Sequence, residues 1–203
     1  TYRKFQKKPE LIFKGPEYLL RLYPVNENAV RVTVTGRDHF LEEPEHVNLT
    51  PVVLDKTPYE EYEVVEEESS VIVKLSAFSV KIHLETGALT YLDPTGAVLV
   101  REPKKGGKHL VETQVTRNVF SGEGELEERH SADGVKVVGG TYETVNDRMA
   151  YHAKVEFVFE DEGLYGFGSH EEGYGNLRGK SRQLYQQNMK ACVPSFFSSK
   201  GYG

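Results

Sequence analysis

The sequence predicts an all-β protein, an antiparallel two-sheet sandwich, and three observations carry that prediction. Apolar and polar residues alternate at period two, the pattern of a strand that buries one face. Turn-forming residues interrupt these runs at short intervals. No stretch sustains a 3.6-residue period for the roughly 10 to 12 positions that a helix needs, so helices should be few and short. At 203 residues the chain exceeds a small immunoglobulin-type domain, and a single domain over residues 1–203 with long or many-stranded sheets would bury a substantial core.

The elements follow in chain order. Tyr18, Leu20 and Leu22 fall opposite Arg21, and Val30, Val32 and Val34 repeat the spacing, so both segments read as strands with one buried side. Asn48-Leu49-Thr50 has the form of a glycosylation acceptor, with Pro51 directly after it. "EYEVVEEESS" (61–70) is acidic and reads as a solvated loop or edge segment, the weaker alternative being a cation site. In "SVIVKLSAFSVKIHL" (70–84) the apolar set runs Val71, Val73, Leu75 and resumes at Phe78, Val80, Ile82, Leu84; a β-bulge near Ser76 and Ala77 would restore the facing. Thr86-Gly87 and Asp93-Pro94-Thr95-Gly96 bracket "ALTYL", and the second suits a type I turn, which makes residues 85–100 two consecutive hairpin-connected strands. "GEGELEERHSADG" (122–134) is a second acidic segment with the same reading, a solvated loop or edge segment, a cation site again being the weaker alternative. Tyr151, Ala153, Val155, Phe157 and Phe159 then alternate with His152, Lys154, Glu156 and Glu160, predicting a strand over 151–160 with one buried side.

Composition narrows the function. Thirty-one acidic against 25 basic residues leave a net charge of -6, which argues against binding nucleic acid or an acidic membrane and favours a neutral ligand. One cysteine, Cys192, excludes an intrachain disulfide framework and a multi-cysteine metal site. The seven histidines show no helical i, i+4 pair beside a carboxylate, so neither a metal nor another cofactor is expected. His83 and His152 lie on the polar sides of predicted strands and read as exposed structural residues. No apolar run approaches the roughly 20 residues that span a bilayer, and the polar start "TYRKFQKKPE" lacks a signal-peptide core, so the chain is expected to be soluble, its compartment open.

"GLYGFGSHEEGYGNLRGKS" (163–181) ends in Gly179-Lys180-Ser181, as a phosphate-binding loop does. A Walker loop would need glycine where Tyr174 stands, and a dinucleotide fingerprint from Gly166 and Gly168 would need glycine or alanine where Glu171 stands. Nucleotide binding is therefore rejected, and the glycines are expected to serve sharp turns and close backbone approach. His170-Glu171-Glu172 could in principle serve acid-base chemistry, and no Ser sits in a Gly-x-Ser-x-Gly elbow.

Tyr165-Gly166-Phe167-Gly168, the polar loop after it and the run from Pro194 to Gly203, "PSFFSSKGYG", resemble the N-terminal domain of glycoside hydrolase family 31, the α-glucosidases and α-xylosidases. "FSVKIHLETGALTYLDPTGAVLVRE" is similar to a hairpin of that domain with "TGxL" and "LDxxG" turns and a terminal Glu, here Glu102. The resemblance implies a galactose-mutarotase-like super-sandwich. It also implies that the catalytic Asp pair sits on a following (β/α)8 barrel, so no catalytic residue is assigned within 1–203. Its partners would be that barrel and, through the full enzyme, α-linked glucosides or xylosides. In the family, a loop of the N-terminal domain carries Asn-Arg-Asp after an aromatic residue, and the Asp binds glycone hydroxyls. The matching residues here are Gln186, Gln187 and Asn188 after Tyr185, which makes Asn188 and Gln187 the candidate substrate contacts. The carboxylate is missing, and an amide can still donate and accept hydrogen bonds to a hydroxyl. The alternative is that Gln187 and Asn188 only close a turn. Two other functions stay open: a free carbohydrate-binding module, against which the absence of Trp counts, and an aldose epimerase of the mutarotase type, for which no His/Glu spacing stands out.

Overall fold

The computed structural model of the chain describes residues 1–7, 9–40 and 59–203; the acceptor motif Asn48-Leu49-Thr50 lies outside the described residues. Among them every regular element is a β-strand, in antiparallel sheets, so the all-β class read from alternation is the class observed. Among the described residues no helix is long and apolar enough to cross a membrane. The chain divides into two compact units, Thr1–Lys108 with Val155–Gly203, and His109–Lys154.

In the first unit, β1 (Arg3–Lys7), β2 (Glu10–Lys14), β3 (Leu19–Asn26) and β4 (Ala29–Thr35) form a meander in sequence order. Leu11 stands opposite Leu22 and Phe13 opposite Leu20, and all four are fully buried. Residues directly opposite share a face, so register alone gathers these side chains, each worth about 1.5 to 3 kcal/mol of burial. Val30, Val32 and Val34 are half-buried because β4 is an outer strand.

A second sheet runs β5 (Glu63–Glu66), β6 (Ser70–Lys74), β7 (Ser79–His83), β8 (Leu89–Leu92) and β9 (Val98–Arg101), again in sequence order. Val71 faces Ile82 and Val73 faces Val80, all buried. Acidic segment 61–70 supplies the outer strand β5, as an edge segment would. The expected bulge at Ser76 and Ala77 is instead a chain reversal: the Leu75 N–H donates to Phe78 O at 2.9 Å, and β6 and β7 are separate strands. A tight turn shifts the parity of an alternating pattern just as a bulge does. The Asp93 turn forms as read. Gly96 N–H donates to Asp93 O at 3.0 Å, and Asp93 Oδ1 accepts from the Thr95 and Ala97 amides at 2.8 and 2.9 Å.

The second unit is a long two-stranded ribbon, β10 (Lys108–Phe120) paired with β13 (Tyr142–Val155), and a hairpin of β11 (Leu126–Ser131) with β12 (Gly134–Gly139). The acidic segment 122–134 thus contains β11, exposed throughout. The strand expected over 151–160 is corrected here. β13 ends at Val155, and Tyr151 and Val155 are 44% and 56% exposed, because the two-stranded ribbon supplies no second layer to cover that face. Phe157 and Phe159 belong to the first unit, where the Val158 N–H donates to Arg101 O at 2.7 Å and the Phe159 ring meets Phe196 edge-on at 5.7 Å. His152 is exposed, while His83 is half-buried with Nε2 3.1 Å from Thr90 Oγ1, and that burial pushes its imidazole below the ordinary range.

β14 (Leu164–Ser169) and β15 (Ala191–Ser198) complete the first unit as a separate pair.

Candidate functional site

The site that the sequence singles out stands on β14 and β15. Their register breaks between Gly166 and Gly168, where a bulge holds Phe167 at φ 63°. A Cβ on Gly168 would lie 1.9 Å from Ala191 O, and one on Gly166 would lie 2.6 Å from Ser195 O. Both glycines are therefore required by the close approach of β15. The loop from β14 to β15 is pinned by Asn176, whose Oδ1 accepts from the Leu164 and Arg178 amides at 3.1 and 3.0 Å. Gly179 at φ 68° allows the Lys180 N–H to reach Leu177 O at 3.1 Å, so Gly179-Lys180-Ser181 is a turn ending.

Gln187 and Asn188 form the tip of a tight turn. The Lys190 N–H donates to Gln187 O at 3.1 Å, and Met189, at φ 65°, takes the left-handed position. Gln186, Gln187 and Asn188 are exposed, and Met189 is 72% exposed. Below the tip, Glu172 Oε2 is 3.2 Å from Arg182 Nη1 and its Oε1 is 3.5 Å from Lys190 Nζ. A bond from its own backbone amide holds the Glu172 carboxyl below the ordinary range, and the two cations add to this. The Lys190 ammonium lies 5.6 Å from the Tyr185 ring centroid, and Arg182 and Lys180 lie over Tyr174 at 5.8 and 5.1 Å. His170 does not join Glu172 in an acid-base pair: its Nε2 is 2.8 Å from Phe167 O.

A cavity of about 500 Å³ lies elsewhere in the first unit, walled by Phe78, Tyr91, Phe157, Phe196 and Tyr202; neither Gln187 nor Asn188 lines it. Among the described residues no three His, Cys, Asp or Glu side chains converge to hold a metal ion.

No protein-family model matches the chain. An uncharacterized family 31 glucosidase ORF2 from Pseudescherichia vulneris is 26% identical over 186 residues, 91% of this chain and 32% of that protein. Over most of its length the chain is thus similar to a family 31 glucosidase. Solved structures agree on the fold. A GH31 α-xylosidase from a soil metagenome, complexed with xylose, superposes over 97% of this chain with a TM-score of 0.64 at 18% identity. The GH31 α-xylosidase of Xanthomonas citri and the GH31 dextranase of Flavobacterium johnsoniae each cover 98% with a TM-score of 0.58, at 20% and 14% identity. The chain spans about a third of the curated relative and 17% to 26% of the three solved chains.

Two of the motifs singled out in the sequence hold buried carboxylates. Glu102, the terminal Glu of the hairpin motif, accepts from Lys108 Nζ at 2.5 Å and from the Leu89 amide at 3.0 Å, with both side chains of the ion pair buried. Burial lowers the Lys108 ammonium below its ordinary range, with Glu102 opposing the shift. Lys108 Nζ also donates to Gly87 O at 3.2 Å, which ties the "TGxL" turn to the same pair. Glu162, which the sequence did not flag, accepts from Ser198 Oγ and, at 2.6 Å, from the Tyr202 hydroxyl, while the Ser198 N–H donates to Tyr202 O at 2.7 Å. The end of the run "PSFFSSKGYG", Ser198 to Gly203, is thus a corner folded around one carboxylate. Burial and the Glu162 bond together push the Tyr202 hydroxyl well above its usual range.

Proposed function

We propose that this chain is the N-terminal, non-catalytic β-sandwich of a retaining α-glycosidase acting on terminal α-linked glucose or xylose. In this reading it packs against a catalytic (β/α)8 barrel and lends the tip at Gln187 and Asn188 to the glycone subsite. The observation that supports it most is the sequence similarity to a family 31 glucosidase over 91% of this chain but only 32% of that protein, which leaves most of the relative for a catalytic body. Retaining chemistry needs two carboxyls about 5 to 5.5 Å apart, and on this reading they belong to the barrel. The exposure of the tip supports a contact role, since Asn188 can offer both a donor and an acceptor to a sugar hydroxyl.

The test is Asn188→Ala in the complete protein, assayed on an α-glucoside and an α-xyloside. Removing a hydrogen bond buried against bound sugar should lower kcat/KM by an amount equivalent to about 1 to 3 kcal/mol. Unchanged kinetics on both substrates would return Asn188 to turn closure and defeat the contact reading.

A further inference from the structure

The amide of Gln186 is turned onto its own hairpin. Its Nε2 donates to Lys190 O at 2.6 Å, and its Oε1 accepts from the Cys192 amide at 3.0 Å. A carbonyl on one side and an N–H on the other fix the orientation of the amide, because only a group that donates at one end and accepts at the other satisfies both. Between these anchors the backbone makes the tight turn of 187–190, with Met189 at φ 65°, a strained position for a residue with a side chain. The same hairpin is also held by Lys190 Nζ, shared between Glu172 and the Tyr185 ring.

We propose that Gln186 is the positioning residue of the tip: it clamps the strand after the turn so that Gln187 and Asn188 are presented in one geometry. The inference rests on the reading of Asn188 as a glycone contact and extends it to a residue whose side chain is bonded to its own hairpin. An exposed turn with an unfavourable φ would otherwise sample several conformations. A contact residue on such a turn loses effective binding in proportion to the time spent elsewhere.

The experiment is a kinetic cycle in the complete protein, combining Gln186→Glu, Asn188→Ala and the double variant, each with a melting temperature. Ionised glutamate keeps the acceptor for the Cys192 amide but cannot donate to Lys190 O, so the clamp opens with little change in volume. Gln186→Glu should lower kcat/KM about five- to tenfold, the worth of an ordinary hydrogen bond expressed through the tip. The double variant should be no worse than the weaker single, because both changes remove the same contact. Melting temperatures should stay within about 4 °C of the parent. As pH falls through the carboxyl range near about 4.3, the deficit of Gln186→Glu relative to the parent should shrink, since the protonated acid regains a donor. If Asn188→Ala is deleterious but Gln186→Glu is silent, additive or pH-independent, the clamp is wrong and the contact reading survives. If Asn188→Ala is itself silent, both fall together.

Discussion

Glu162 shows how one side chain can organise a corner of the chain. Burial pushes its carboxyl up, but bonds from Ser198, Tyr202 and the Glu160 amide, with the Lys200 ammonium nearby, outweigh this and leave it below its ordinary value. A carboxyl depressed in the folded state stabilises the fold above its unfolded value of about 4.5, and that contribution disappears as pH falls through the lower folded value. Glu162→Gln retains an acceptor for the two hydroxyls while removing the titration. The urea midpoint of the variant should therefore fall less steeply between pH 6 and pH 3, roughly the carboxylate range, than that of the parent. Parallel slopes would mean that Glu162 contributes nothing to acid sensitivity. Depressed carboxyls at Asp93 and Glu172 remain in both proteins, so the difference isolates Glu162. The Ser, Gly and Tyr of this corner were legible as a motif. Their carboxylate was not, because it lies 36 residues before Ser198 and no local pattern marks a side chain that becomes a partner only after the strands meet.

The pairing of β14 with β15 turns glycine freedom into a specific demand. Gly168, at φ 90° and with Ala191 O only 1.9 Å from a would-be Cβ, carries both a conformational and a steric requirement. Gly173, at φ 54° with nothing within 4 Å, carries the first alone. Gly168→Ala should cost about 2 to 5 kcal/mol, combining left-handed strain with the displacement of β15, and Gly173→Ala only about 1 to 2 kcal/mol. Urea unfolding of the two variants reads the difference directly, and equal losses would remove close approach from the explanation. Residues 163–179 were legible as a segment that needs glycines for turns and tight packing. What they pack against was not legible; for Gly166 and Gly168 the neighbour is β15 of the same chain. Local sequence records the need for space but not the identity of the neighbour. The same limit explains residues 70–84, where alternation marked the buried positions of both strands but the change of parity was read as a bulge, and the structure has a turn there.

Across the whole molecule, burial is divided unevenly between the two units, and the stability of individual hydrogen bonds should follow it. The fully buried side chains Leu11, Phe13, Leu20, Leu22, Val71, Val73, Val80, Ile82 and Leu89 all belong to the first unit. In the second, Leu126, Val135, Val137, Tyr142, Met149 and Tyr151 are exposed on two-stranded ribbons. Alternation could not reveal this difference, because period two reports that a strand has an apolar side and not that another layer covers it; Tyr151, Ala153 and Val155 have the pattern without the cover. A two-stranded ribbon is marginal in water, so its amides can exchange through local opening, whereas those of β3, β6 and β7 need an opening that exposes the core. Native-state hydrogen exchange should therefore rank β11 and β12 fastest, β10 and β13 next, and β3, β6 and β7 slowest. The extremes should be separated by at least about 100-fold in rate, equivalent to nearly 3 kcal/mol of opening free energy. Were β11 and β12 protected as strongly as β6 and β7, stability in this chain would not track buried apolar surface, and the division into a well-buried unit and an exposed one would have no energetic meaning.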